Sequence, residues 1–358
     1  MHSTEPMRRS YDRILPYAFR RFSLLSARRT LVPTILYYGL SRLPLTHRER
    51  EYILPPSYKP ALFTMNILPP MATVWYHFVR KNLGDSVDAV IFDCSGRLNP
   101  ENFPGARVQK FLNFYAATKS DEFLYHIAKN RRIGWLCDDD MFPMSPTMLT
   151  ILEREFAVPN TASVSFRPRD WWHFVIDGKT HEVSSSYCTA INREIFVEKE
   201  HLSLQPADGN THPSHIGKHL RRYDTFDKAN EILLQRGYRC SVVPKEERDA
   251  SLTGFSGMSG AVILLSYFRT PEETLDYYRS APLERWSGNV LFGTLSSLLA
   301  ICTIQELYTR LTGKAYALPS LPKRAELERI RENHRTQLRP DQSVTWFDTV
   351  ADRLHASL

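Results

Sequence analysis

One stretch constrains the fold more than any other: Arg131-Arg-Ile-Gly-Trp-Leu-Cys-Asp-Asp-Asp-Met-Phe-Pro-Met-Ser-Pro146, where a short apolar run ends in three carboxylates and then in a proline-containing turn. Ile133 to Cys137 is too short for a helix and apolar enough to lie inside a sheet, and Pro143 and Pro146 stop any strand continuing past the acids. The pattern predicts a buried strand that delivers Asp138, Asp139 and Asp140 to the carboxyl edge of an α/β sheet, the place where ligands bind in such sheets.

Three adjacent carboxylates repel one another, and desolvation adds to that penalty unless a cation neutralises them. Along extended chain Asp138 and Asp140 point the same way and Asp139 the opposite way, so an Asp-x-Asp pair can approach one hard cation, Mn2+ or Mg2+. Such an ion held by one or two carboxylates completes its shell with water and substrate phosphates. The alternative is a solvated acidic turn. Ser145 or Thr147 then caps a helix over Met148 to Phe156.

Upstream, Ala61–Asn66 reads as a first strand, Met71 to Asn82 as a helix after the Pro69-Pro70 turn, and Ala89 to Gly96 as a second strand, a parallel βαβ unit. Asp93 closes that strand before Ser95 and Gly96, where it either accepts hydrogen bonds from a nucleoside or bonds its own backbone turn. Val108 to Asn130 carries aromatics and aliphatics at helical spacing, with a break near Thr118 to Asp121. The expected order is strand, helix, strand, helix, strand, with the acids on the third strand.

The length of 358 residues allows one large α/β domain with additions, or two domains. Its 42% hydrophobic and 24% charged residues argue against disorder. No run of 18 uncharged apolar residues occurs, Met1 to Pro16 lacks the apolar centre of a secretion signal, and five separated cysteines without a Cys-x-x-Cys pair fit a reducing cytoplasm. The formal charge of +7 is carried by residues 1–60, with eleven Lys or Arg against four Asp or Glu, while the remainder is balanced. That distribution excludes a nucleic-acid groove across the body of the protein and marks a basic arm. Between residues 8 and 29, Arg pairs alternate with Ile14, Leu15, Phe19, Phe22, Leu24 and Leu25, as in an amphipathic segment on anionic lipid or a helix packed on the body with its basic face in water.

Thr161 to Phe166 is a further candidate strand. Arg167-Pro-Arg-Asp-Trp-Trp-His173 follows, a segment able to stack a sugar or base and bind phosphate, and Trp172 to Ile176, Asp177-Gly178 and Thr180 to Val183 form a hairpin pattern. Next, Ser184-Ser-Ser-Tyr-Cys-Thr-Ala-Ile-Asn-Arg-Glu-Ile-Phe196 sets small residues before an apolar strand and an Asn-Arg-Glu turn. Tyr223-Asp-Thr-Phe-Asp-Lys-Ala-Asn-Glu-Ile-Leu-Leu-Gln-Arg-Gly-Tyr-Arg-Cys-Ser-Val-Val-Pro244 gives an acid, a helix, a glycine cap and a strand.

With Leu136-Cys-Asp-Asp-Asp-Met-Phe-Pro143, these segments resemble the GT-A fold glycosyltransferases over roughly residues 60–245. The resemblance implies an α/β, mostly parallel Rossmann-type sheet flanked by helices, with a basic arm (1–59), a catalytic domain (60–250) and a helical C-terminal extension (251–358). It implies that Asp138 and Asp140 hold Mn2+ or Mg2+ against the diphosphate of a nucleotide sugar, that Asp93, Asp139 and Arg193 line the donor, and that Asp224 or Asp227 is the catalytic acid position. The expected Glu-Asp pair reads Tyr223-Asp224 here, leaving the base open between those two aspartates or either as a helix cap. Many members place a metal-binding histidine after the last core strand, and this chain has none between Val243 and His334. His212, His215 and His219 come earlier, on one helix face if Pro213 starts that helix, and His215 is the histidine assigned to the metal.

Ser251 to Gly260 is glycine- and serine-rich, a loop over substrate or a plain linker. Val290 to Ile304 is an apolar run of 15 residues that packs as a core helix or dips into a membrane surface. Thr270-Pro-Glu-Glu is a helix start, and Lys323 to Arg335 a charged, solvated helix. The expected function is sugar transfer from a nucleotide-diphosphate sugar to a glycan or lipid-linked acceptor in envelope synthesis, at the cytoplasmic membrane face. The alternatives are a sugar nucleotidyltransferase, which normally needs a glycine-rich, lysine-bearing loop absent from residues 64–75, and a non-catalytic scaffold of the same fold.

Overall fold

The computed structural model describes residues 53–110, 116–205, 224–286, 289–337 and 345–358. Among these, residues 53–66 and 78–252 form one compact unit and residues 67–77 and 253–358 another. The first holds a seven-stranded sheet and the second is mainly helical.

The sheet unit begins with β1 (Ala61–Asn66), reaches β2 (Asp88–Asp93) through α1 (Pro69–Asn82), and continues to β3 (Arg107–Lys110). Helix α2 (Ala116–Glu122) and a wide turn, Phe123–Ile127, lead into β4 (Ile133–Cys137). The strand order is β10-β6-β9-β4-β1-β2-β3. β3, β2, β1 and β4 run parallel, with Phe63 opposite both Val90 and Leu136. Parallel strands are covered on both faces, which is why β1, β2 and β4 read as apolar runs rather than alternations. Phe63 stacks on Phe123 at 4.7 Å and meets Phe92 edge-on at 4.9 Å, while Trp135 stacks with Phe166 at 5.8 Å. Gly134 lets β4 pack closely, since a Cβ there would lie 2.3 Å from Leu124 Cδ2 and 3.3 Å from Phe123 Cε1 and would force Leu124 to move.

Past the acids come a short extended segment, β5 (Met141–Pro143), helix α3 (Thr147–Ala157) and β6 (Thr161–Ser165). The expected hairpin forms from β7 (Pro168–Ile176) and β8 (Lys179–Ser184), turning through Asp177 and Gly178, both at positive φ (49° and 73°) as a tight hairpin turn requires. β9 (Cys188–Asn192) then inserts antiparallel between β6 and β4, pairing Cys188 with Cys137 and Asn192 with Ile133. Helix α4 (Asp227–Gln235), Gly237 at φ +79° and β10 (Arg239–Val242) follow, and α5 (Lys245–Ser251) closes the unit. This is an α/β, mostly parallel sheet flanked by helices, as the sequence pattern predicted.

Two expectations about the sheet are corrected. Val108 to Lys110 belongs to an edge strand rather than a helix, because its backbone pairs with β2. The acids therefore close the fourth strand in sequence, not the third.

In the helical unit, α6 (Met258–Leu265) packs on α8 (Asn289–Thr312), which also contacts α9 (Arg324–Asn333) and α10 (Thr345–Ser357). Met258 to Gly260, expected in a loop, opens α6. Thr270 caps α7 (Pro271–Arg279), its Oγ1 accepting the Glu273 N–H at 3.2 Å. Helix α8 has 24 residues, longer than the apolar run alone suggested, and is long and apolar enough by composition to cross a membrane. Its apolar window is mostly buried within the protein.

Candidate functional site

The site grows from the end of β4. The Asp138 N–H donates to the Tyr187 carbonyl at 2.8 Å, and the Met141 N–H returns to the Asp138 carbonyl at 2.9 Å, so the chain turns sharply at the acids. Asp138, Asp139 and Asp140 are half-buried, each keeping an edge in solvent. Asn66, last residue of β1, donates from Nδ2 to Asp139 Oδ2 at 2.6 Å and fixes that carboxylate on the β1 side. Burial first, then Asp140, Asp139, Cys137 and Asp224, push the Asp138 carboxyl well above the usual carboxylate range. Asp139 is raised likewise, by burial and then Asp140, against the Asn66 hydrogen bond. These acids repel each other where they stand.

A second cluster forms where α4 meets the hairpin. The Arg169 guanidinium, 1% exposed, donates from Nε to Asp227 Oδ1 at 2.6 Å and from Nη1 to the Tyr187 hydroxyl at 3.1 Å, and its Nη2 lies 3.7 Å from Asp224 Oδ2. Asp227 Oδ2 accepts the Asp224 N–H at 2.8 Å, and Asp224 Oδ1 accepts the Thr225 N–H at 2.9 Å. The two aspartates differ in kind: the Asp224 side chain is 32% exposed and the Asp227 side chain 1%. Burial lifts the Asp227 carboxyl to about 6, with Arg169 pulling the other way. Phe226, between them, has φ +75°, a conformation that strains a bulky residue, and is held there by burial against Phe196 and by an N–H bond to the Leu204 carbonyl at 2.9 Å. Strained backbone beside a partly exposed carboxylate points to a functional turn. Tyr187 links the two clusters, its carbonyl accepting the Asp138 N–H and its hydroxyl facing Arg169 Nη1.

The remaining predicted residues are placed differently. Asp93 ends β2 beside Asn66 in the register, and both its oxygens serve its own loop: Oδ1 accepts from Ser95 N, Ser95 Oγ and Gly96 N at 3.0, 2.6 and 2.9 Å, and Oδ2 from Leu98 N at 3.0 Å. Arg193 is not brought to the acids. It follows Asn192, which pairs with Ile133 at the opposite end of β4, roughly 14 Å along the strand from Cys137. There its Nε donates to the Leu124 carbonyl at 2.7 Å and its Nη1 pairs with Glu198 at 2.8 Å, bonds that tie helix ends together. His215, with His212 and His219, lies outside the described residues, as do residues 8–29. The sequence reading missed Asn66 and Tyr187, and it noticed Arg169 only as part of an aromatic and basic segment.

Among the described residues no three His, Cys, Asp or Glu side chains gather into a group able to hold a metal by themselves. The donor chemistry nevertheless fits a hard divalent cation. Asp138 and Asp140 offer carboxylate oxygens at a solvent-facing edge, their mutual repulsion is what a cation relieves, and ions of this class are commonly held by two carboxylates with water and phosphate completing the shell.

No family model matches the chain, and no curated protein sequence matches it significantly. Several solved structures are similar to it at low identity. They include a mannosyltransferase from Pyrobaculum calidifontis in complex with GDP-Man and Mn2+, at 12% identity and a TM-score of 0.38, covering 95% of this chain and 97% of that one. TarS of S. aureus, residues 1–349, aligns at 10% identity and a TM-score of 0.36 over 84% of this chain and 83% of that chain. The bifunctional glycosyltransferase WbbM aligns at 12% identity and a TM-score of 0.28 over 41% of this chain and 34% of its own.

Proposed function

We propose that the protein is a metal-dependent glycosyltransferase that moves a sugar from a nucleoside-diphosphate sugar to a hydroxyl of a glycan or lipid-linked acceptor. The observation that carries this reading is the pairing of two unlike acidic sites: carboxylates crowded at the carboxyl end of β4, and a separate, partly exposed carboxylate on a strained turn tied to them through Tyr187 and Arg169. Asp138 and Asp140 are the residues to hold Mn2+ or Mg2+, and Asn66 keeps Asp139 turned aside on the β1 flank. The ion, when bound, neutralises the charge that builds on the departing diphosphate.

The chain's own groups do the rest. Asp224, whose side chain is 32% open to solvent, is the base that takes the acceptor hydroxyl proton, worth about 10²–10⁴-fold for a well-placed group. Asp227, sealed against Arg169, supports it. A base facing the acceptor suits inversion at the transferred carbon. The positive charge of residues 1–60 supports peripheral contact of the arm with an anionic membrane at the cytoplasmic face, where lipid-linked acceptors of envelope synthesis reside.

Calorimetric titration with UDP, GDP, CDP and dTDP, with and without Mn2+, tests the reading. Metal-dependent binding of one nucleotide, lost in an Asp138→Ala/Asp140→Ala variant, is expected. Folded protein that binds none of them refutes it.

A further inference from the structure

Arg169 is a buried cation facing two aspartates, and the geometry divides them. Asp227 takes the short contact at 2.6 Å, while Asp224 stays at 3.7 Å with its side chain one-third exposed. The division is built into the backbone. β7 is irregular directly after Arg169: the register pairs Arg169 with Val183 and then jumps to His173 opposite Glu182, and such a bulge re-aims the side chain beside it. Helix α4 is fixed to the same hairpin, since Asn230 Oδ1 accepts the Ser184 N–H at 3.0 Å. Asp227 thus stands on a helix pinned to the hairpin that carries its partner, and with its second oxygen it grips the Asp224 N–H.

We propose that Arg169 is a positioning residue for glycosyl transfer: it fixes Asp227 as a rigid anion, and Asp227 sets the Asp224 backbone so that the Asp224 carboxylate stands over the acceptor side of the acids. The inference rests on the transfer reading above, with Asp224 as base. The fork matters as well as the charge. A guanidinium reaches Asp227, the Tyr187 hydroxyl and, at 3.5 Å, the Thr225 carbonyl from one plane, and an ammonium cannot reproduce that fan. An Arg169→Lys substitution therefore keeps the charge and removes the alignment.

The test compares wild type, Arg169→Lys and the double variant Arg169→Met/Asp227→Met in the full chain. The double variant removes both buried charges together and so protects folding against an orphaned carboxylate. Binding of UDP and GDP with Mn2+ gives stoichiometry and Kd, and release of nucleoside diphosphate from UDP- and GDP-sugars gives kcat. The expected result is unchanged stoichiometry, Kd within about 3-fold and kcat lower by about 100-fold in both variants, the low end of what a misplaced base forfeits. A kcat in Arg169→Lys within 3-fold of wild type overturns the inference. So does a fall of stoichiometry and kcat in equal proportion, which marks a purely structural ion pair. A wild type that neither binds nor turns over any donor overturns the transfer reading itself, an outcome distinct from the other two.

Discussion

Asp138→Asn gives a direct reading of the repulsion at the end of β4. Asparagine keeps the shape of the side chain and removes its charge, while the backbone bond from residue 138 to the Tyr187 carbonyl is untouched. Two unit charges about 5 Å apart at an effective dielectric of about 20 repel by about 3 kcal/mol. The three acids are half-buried, and screening at their open edge reduces the relief to about 1–2 kcal/mol. In a domain of this size that raises Tm by roughly 3–6 °C. A carboxyl whose folded pKa is raised binds its proton more tightly in the folded state than in the unfolded chain. Its penalty is therefore absent below the ordinary carboxyl value of about 4, grows as pH rises from there towards the folded value, and is complete above it. Thermal unfolding in a chelator should show variant and wild type melting together near pH 4 and the variant melting higher at pH 8. Adding Mn2+ and the bound nucleotide at about 100 times Kd contributes about 2.7 kcal/mol to wild type alone and reverses the order. A variant that melts at or below wild type at pH 8 in chelator refutes the claim that these acids strain the apo site.

Two other substitutions probe the frame around the site. Gly134→Ala forces a methyl into Leu124 and should destabilise the sheet unit by about 1–3 kcal/mol in urea unfolding, and a neutral result contradicts the packing described for β4. Lys119 on α2 is fully buried and burial lowers its pKa to about 8, so ionising it opposes folding at lower pH; Lys119→Met should stabilise by about 3 kcal/mol at pH 6.5, and the gain should shrink above pH 8, where the folded lysine is neutral while the unfolded one still carries its proton.

The strands that carry the acids were legible because burial leaves a plain mark. β1 has the bounds its apolar run suggested, and β4 ends at Cys137 directly before the acids, but the prolines do not forbid a strand beyond them, since the short strand β5 runs through Pro143. The edge strand β3 was hidden because three of the four residues of Arg107–Lys110 are polar and the sequence continues into aromatics at helical spacing. The base cluster was hidden for a different reason. Arg169 and Asp227 are 58 positions apart, and nothing local to either shows that a bulged hairpin and a helix start will meet. Arg193 misled through its neighbours, since a motif beside a site-forming strand can sit at either end of it, and antiparallel β9 carries it away from the acids. Asn66 is an ordinary strand end until the register places it beside Asp139.

Tyr187 joins the two acidic clusters with one residue. Its carbonyl holds the backbone of Asp138 and its hydroxyl receives Arg169, which anchors Asp227 and through it Asp224. The two contacts come from different parts of the residue, the main chain on the Asp138 side and the ring on the Arg169 side. A change of side chain at 187 therefore leaves the backbone turn at the acids in place and loosens only the Arg169 end, which makes this position a handle on one cluster at a time.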